Sequence, residues 1–204
     1  MNNKYGSSQD KKVDLFVEAF PIIQSLFPQF FLTMGSCLGI VREKRLLPWD
    51  DDIDCALLEK DFSAEKFVNL TELLINSGFE VSLTEGQWVK LNARKYGEKL
   101  CLVVLYCNND SNKYIRPSFQ FPAIFFQQFE IIEAYGFQLR VPAPSIDYLE
   151  FIYGSDWRTP IKDRSERSLY SGGLYRRYTL FKKVTSTFIR VFEFLKGKSI
   201  RVFK

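Results

Sequence analysis

Apolar residues at Val13, Phe16, Val17, Phe20 and Ile23 recur at steps of three and four, which predicts a helix over residues 10–27 that breaks or kinks at Pro21. A short apolar run at Phe30–Thr33 predicts a strand that ends in a tight turn at Gly35-Ser36. One or two helical turns are expected over Cys37–Glu43. Ile53, Cys55 and Leu57 then alternate with Asp52, Asp54 and Ala56, the period of a strand. Phe62, Phe67, Leu70, Leu73 and Leu74 mark a second helix, capped by Ser63 and ended before Gly78. Phe79–Thr84, Trp88–Ala93, Lys99–Tyr106 and Phe137–Val141 read as strands, Asn108–Lys113 as a polar loop. The aromatic stretch Phe119–Ile132 fits neither period. Ser145 or Asp147 is expected to cap a helix through Tyr153, stopped by Gly154. Residues 158–173 are polar and turn-like.

Helical spacing returns at Leu174, Tyr178, Phe181, Val184, Phe188, Val191 and Leu195. From Leu174 to Lys204 there are nine Lys/Arg and one Glu, a local charge of +8. The whole chain carries +4, so the preceding part is near −4. This is an acidic-centred domain with a basic tail, unlike a uniformly basic nucleic-acid binder. The tail's stripe can close the domain's core or lie on an anionic membrane. The expected division is a catalytic domain at 1–173 and a basic amphipathic extension at 174–204.

Composition narrows the chemistry. The 204 residues contain no histidine, so imidazole bases and ligands are excluded. Cys37, Cys55, Cys101 and Cys107 form no Cys-x-x-Cys pair and read as buried thiols, not a zinc site. No run of 18 apolar residues occurs, and Met1–Lys12 is polar. A cytoplasmic location follows as the expectation, with peripheral contact at the inner face of a membrane through the basic tail.

Asp50, Asp51, Asp52 and Asp54 place four acids within five residues. Carboxylates this close repel unless a cation sits among them. Asp50, Asp52 and Asp54 share one face of a regular strand, with alternate Cα atoms about 6–7 Å apart. The pattern points to Mg²⁺ or Mn²⁺, with phosphate oxygens completing the coordination. Phosphoryl or nucleotidyl transfer is the chemistry such a site serves.

The segment Gly35-Ser36-Cys37-Leu38-Gly39-Ile40-Val41-Arg42, followed by Leu47-Pro48-Trp49-Asp50-Asp51-Asp52-Ile53-Asp54, resembles the LicD/fukutin family of the nucleotidyltransferase-fold superfamily. A second likeness runs through Val141-Pro142-Ala143-Pro144, Tyr148-Leu149 and Tyr153-Gly154-Ser155-Asp156-Trp157-Arg158-Thr159-Pro160. Together they cover about residues 15–162. The resemblance implies an α+β fold, a nucleotidyltransferase-like mixed sheet flanked by helices, joined to the C-terminal basic helix. It implies transfer of a phosphorylated alcohol or sugar phosphate from a nucleotide-activated donor, such as CDP-choline or CDP-ribitol, to a glycan or glycolipid. Simple nucleotide transfer and an inactive nucleotide-binding relative are the alternatives.

In that frame Asp52 and Asp54 match the metal-binding pair and Asp50 an additional acid. Gly35 and Ser36 match the turn that approaches the donor phosphates, and Arg42 a phosphate clamp. The family places another aspartate on a later strand. Here that strand reads Lys99-Leu100-Cys101-Leu102-Val103-Val104-Leu105-Tyr106, with Cys101 near the acid's place. Thiols are poor Mg²⁺ ligands. Glu130 is therefore the first catalytic substitute expected, with Glu133 and Asp110 behind it. Trp49 can pack or stack on a base; Asp156 and Trp157 are expected to be structural.

Overall fold

The computed structural model describes residues 8–84, 88–116, 119–160 and 201–203. Among them are four α-helices: α1 (Ser8–Leu26), α2 (Met34–Glu43), α3 (Ala64–Asn76) and α4 (Ser145–Tyr153). The strands are β1 (Phe31–Leu32), β2 (Ile53–Leu58), β3 (Glu80–Thr84), β4 (Lys90–Lys95), β5 (Glu98–Asn108), β6 (Lys113–Arg116), β7 (Phe119–Pro122), β8 (Phe129–Ala134), β9 (Phe137–Pro142) and β10 (Arg201–Phe203). The main sheet runs β1-β2-β5-β4-β3-β10, and β6 continues from β5 into β7. β2 and β5 are parallel, as are β3 and β10; the other pairs are antiparallel. β8 and β9 form a separate hairpin. The architecture is a mixed α+β fold.

α1 does not break at Pro21. The ring lies exposed, while Phe16, Phe20 and Ile23 on the inner face are buried on both sides of it. That burial outweighs the single backbone bond a proline removes. The aromatic stretch that fits no period resolves into β7, one tight turn at Ala123–Phe126 and β8. Phe121 and Phe126 pack there against Tyr148 of α4. The expected polar loop at 108–113 is shorter: β5 runs to Asn108, and a single turn leads into β6. The β4–β5 and β8–β9 hairpins both turn on Tyr-Gly pairs at positive φ, Tyr96-Gly97 and Tyr135-Gly136, the conformation of a type I′ turn.

The registers of β2, β5 and β4 divide the sheet into two faces. Ile53, Cys55 and Leu57 lie in line with Leu100, Leu102 and Val104, and Leu91 and Ala93 extend these rows. All are buried in the core to which α1 and α3 also contribute. The opposite face carries Asp54 beside Cys101 and Asn92, and Lys99 beside Arg94. Polar residues thus collect at one end of the sheet, where β2 begins.

The amphipathic helix expected at 174–195 lies outside the described residues. β10, the described part of the extension, adds a parallel strand to the β3 edge. No described helix is long and apolar enough to cross a membrane.

Candidate active site

Gly35 and Ser36 do not form a free turn. They lie in the first turn of α2, which Thr33 precedes in extended conformation. Met34 opens the helix at φ 48°, a left-handed conformation rare outside glycine. Tyr148 holds this entrance: its hydroxyl lies 2.5 Å from Thr33 Oγ1 and accepts from the Met34 N–H at 3.4 Å. Burial drives the Tyr148 phenol well above its ordinary range, so it stays neutral.

Close approach explains why position 35 is glycine. A Cβ there would stand 1.9 Å from Asp50 Oδ2. The Asp50 carboxylate therefore rests against the N-terminal end of α2, where helices leave backbone N–H groups unpaired. Asp50 belongs to a turn closed by its N–H on the Leu47 carbonyl. Lys12, 1% exposed, reaches from α1 to donate to the carbonyls of Leu47 and Asp50. This buried ammonium anchors the acidic segment from below.

Ser36 joins the two halves of the first motif. Its Oγ accepts the backbone N–H of Asp54 at 2.8 Å. The Asp54 carbonyl accepts from the Thr33 N–H at 3.0 Å. The start of α2 and the acidic strand are thereby one unit. Asp54 is largely buried, and burial raises its carboxyl to about 7 against the pull of Arg116; Asp52 and Asp50 add to the rise, and Lys90 opposes it. Asp52 is paired with Lys99, Nζ to Oδ2 at 2.9 Å. Arg116 Nη1 stands 3.8 Å from Asp54 Oδ1. Asp51 is exposed.

Cys101 is the direct strand neighbour of Asp54 and is 1% exposed. Burial raises its thiol to about 11; Lys90 and Arg116 oppose the rise, and Asp54 and Asp52 add to it. No carboxylate stands on the described part of this face of β5. Among the described residues no three His, Cys, Asp or Glu side chains gather closely enough to hold a metal by themselves. Two carboxylates do suit Mg²⁺, which is commonly held by one or two of them together with waters and substrate phosphates.

The other expected site residues have other partners. Glu130 accepts from the Ser145 N–H at 2.8 Å and the Ser145 hydroxyl at 2.6 Å. It caps α4, in place of the expected Ser145 or Asp147; Pro144 occupies the N-cap position and has no side-chain donor or acceptor. Glu133 is exposed on the β8–β9 hairpin. Asp110 lies past the far end of β5, about 20–25 Å along the strand from Cys101 at 3.3 Å per residue. Arg42, expected at a phosphate, donates Nη1 to the Trp157 carbonyl at 3.1 Å, and its Nε and Nη2 to Glu43 Oε1. Trp49 is half-buried and packs against the core.

Lys90, Asn92 and Lys99 were not anticipated as site residues, nor was Arg116. A signal existed for three of them: Lys90, Asn92 and Arg94 alternate with Leu91 and Ala93, and Lys99 begins the strand that faces Asp52. Arg116 had none, because its place depends on β6 pairing with β5.

The sequence of residues 28–144, more than half of the chain, matches the family model of the LicD/FKTN/FKRP nucleotidyltransferase domain. The chain belongs to the LicD/FKTN/FKRP family. Among curated proteins it is similar to the ribitol-5-phosphate transferase FKTN of Mus musculus, 24% identical over 155 residues, and to that of Homo sapiens, 21% identical over 160 residues. Each match covers 73% of this chain and 33% of the relative, so the chain spans about a third of these proteins' length. Among solved structures it is similar to ANT(2")-Ia in complex with adenylyl-2"-tobramycin, with TM-score 0.43 and 15% identity over 78% of this chain and 84% of that one. The family match includes Gly35, Ser36 and Asp50–Asp54 but ends before Tyr148 and Trp157. Those two residues nevertheless brace both ends of α2 in this LicD-family chain.

Proposed function

We propose that the chain transfers a phosphorylated alcohol or sugar phosphate from a nucleotide-activated, CDP-linked donor to a hydroxyl of a glycan or glycolipid. The observation that carries this reading is the Asp54 N–H to Ser36 Oγ bond, which places the start of α2 beside the acidic strand. The relatives' name, ribitol-5-phosphate transferase, supports a phosphorylated polyol as cargo.

The residues present fit a divalent ion held by Asp52 and Asp54 and completed by donor phosphate oxygens, with Asp50 beside them. Bound there, Mg²⁺ or Mn²⁺ would neutralise phosphate charge. Ser36, 2% exposed, accepts the Asp54 N–H at its Oγ and so fixes the acidic strand against the start of α2. The Gly35 and Ser36 N–H groups stand at a helix N-terminus, a setting suited to anions, against which the Asp50 carboxylate already rests. The acceptor oxygen would bond to the phosphorus that bears the alcohol, the bridging P–O bond would break, and CMP would leave. Without histidine, the acceptor's proton passes to a carboxylate or to water.

One observation favours a second reading. Cys101 fills the strand position beside Asp54, which fits a relative that binds nucleotide donors and transfers slowly or not at all. The decisive assay offers CDP-ribitol and CDP-choline with a glycan or glycolipid acceptor and Mn²⁺, and follows CMP release and phosphodiester formation. The transferase reading expects both products from wild type and neither from folded Asp54→Asn. CDP-donor binding without CMP release would establish the second reading. Release of pyrophosphate from a nucleoside triphosphate, with the nucleotide joined to the acceptor, would mark simple nucleotide transfer instead.

A further inference from the structure

Residues 45–50 carry the chain from α2 into the acidic strand, and two side chains from distant segments hold them. The Leu46 N–H donates to the Tyr135 hydroxyl at 2.8 Å. Lys12 Nζ donates to the Leu47 carbonyl at 3.2 Å and to the carbonyl of Asp50, 38 residues away in sequence. Both holds come from one side. Lys12 and Phe16 are four residues apart on α1 and share a face of it. Phe16 in turn meets the Tyr135 ring edge-on, with centroids 5.8 Å apart. On its other side the segment presses on α2: a Cβ at Gly39 would stand 2.5 Å from the Arg45 carbonyl oxygen and 3.0 Å from Leu47 Cγ. The segment is wedged between α1 and α2, and it ends at Asp50.

Packing alone does not ask for a lysine here. Lys12 is 1% exposed, and both acceptors are neutral carbonyls. Burying an ammonium is costly, and an apolar side chain of similar volume often serves a fold as well or better. What the ammonium adds is direction. The Leu47 carbonyl already takes the Asp50 N–H at 3.2 Å. Lys12 joins both ends of that turn and fixes the Asp50 backbone against α1. The Asp50 carboxylate is thereby aimed: Oδ1 accepts from the Asp51 N–H at 3.1 Å, and Oδ2 fills the space that Gly35 leaves at the start of α2.

We propose that Lys12 is a positioning residue for the acidic site: by holding the carbonyls of Leu47 and Asp50, its ammonium sets where the Asp50 carboxylate stands beside Asp52 and Asp54. It acts through Asp50, not on a ligand. Its effect on a metal rests on the carboxylate assignment above; its effect on Asp50 does not.

The test compares Lys12→Met, Asp50→Asn and the double variant of the full chain, with folding followed by circular dichroism and melting. Lys12→Met is expected to fold and melt close to wild type. In the metal-free protein the Gly35 and Ser36 amide resonances, read by NMR, should shift as the carboxylate leaves them. By calorimetry Mn²⁺ should bind about tenfold more weakly or worse, the usual loss when a support of metal-site residues is removed. In the Asp50→Asn background Lys12→Met should make little further difference, whereas a general structural role would cost the same in both backgrounds. Unshifted amides or wild-type Mn²⁺ affinity in folded Lys12→Met overturns the proposal, as does a full loss of affinity that persists in the Asp50→Asn background. If Lys12→Met does not fold, Lys12→Gln, which keeps a polar head, is read by the same measurements. Shifted amides in Lys12→Met, where wild type itself binds no Mn²⁺, would remove the metal reading and leave the role of Lys12 standing.

Discussion

The Arg42 guanidinium donates to the Trp157 carbonyl over 3.1 Å and so ties the end of α2 to the segment that follows α4. At the other end of the same helix, Tyr148 meets Thr33 and Met34. The Gly35–Arg42 segment and the Tyr148–Trp157 segment are thus the two sides of one brace around α2. Arg42 is only 10% exposed at its side chain and is also paired with Glu43. Its first effect should be on stability. Arg42→Met removes these bonds and leaves their acceptors less satisfied, a loss of about 1–3 kcal/mol. Thermal melts should show a drop of several degrees, whereas CDP affinity of the folded variant, measured by calorimetry, should change little. A large loss of CDP affinity with an unchanged melt would restore the phosphate-clamp role.

Gly35 and Gly39 separate binding from folding within one helix. A Cβ on residue 35 meets the flexible end of the Asp50 side chain at 1.9 Å, whereas a Cβ on residue 39 meets the Arg45 backbone carbonyl at 2.5 Å. Gly35→Ala should therefore fold with near-normal stability, helped by alanine's better helix propensity of up to about 1 kcal/mol. It should displace the Asp50 carboxylate and lower Mn²⁺ and CDP affinity. Gly39→Ala cannot be relieved by a rotamer change and should lower the melting temperature instead. Wild-type Mn²⁺ and CDP affinities in folded Gly35→Ala would mean that the placement of Asp50 does not matter for either.

Asp54 should make the metal-free protein less stable as pH rises. Its folded carboxyl is raised from 3.8 to about 7, chiefly by burial. Below about pH 4 both folded and unfolded chains carry the proton, so the residue adds no penalty. Between about pH 4 and 7 the unfolded chain releases the proton and the folded chain keeps it, so stability falls across this window. The full penalty, at most about 4 kcal/mol, is reached above pH 7. In EDTA, Asp54→Asn should melt close to wild type near pH 4.5 and several degrees higher near pH 8. Parallel pH profiles for the two proteins would refute the shift.

Local pattern carried much of this fold. The alternation around Ile53, Cys55 and Leu57 marked β2, and Ser63 caps α3 through the Lys66 N–H as its position implied. Pairing between distant segments was not legible. Nothing in the local pattern says that Phe119–Pro122 pairs with β6, or that Glu130 reaches Ser145 across the β8–β9 hairpin. The acidic pair was visible because its residues alternate within three positions, while its cations come from β4, β5 and β6 and meet it only through register. Gly35 reads in the sequence as part of a tight turn; in the fold it lies in α2, and its lack of a Cβ leaves room for the Asp50 carboxylate.

Cys101 allows the missing acid to be put back. It lies beside Asp54 in the parallel register, and its side chain is buried. A carboxylate placed there would face Asp52 and Asp54 in a poorly hydrated setting, so Cys101→Asp should destabilise the protein in EDTA by several degrees. Mn²⁺ should reverse that loss, because a third carboxylate adds a hard oxygen ligand where the thiol offers none. Mn²⁺ affinity should rise about tenfold or more, equivalent to about 1.4 kcal/mol, and any transfer from a CDP-linked donor should rise with it. Cys101→Ser, similar in size and uncharged, should show neither the loss in EDTA nor the gain with Mn²⁺. If folded Cys101→Asp binds Mn²⁺ no better than wild type, the β2–β5 face is not where the metal sits, and the assignment of Asp52 and Asp54 as its ligands fails with it.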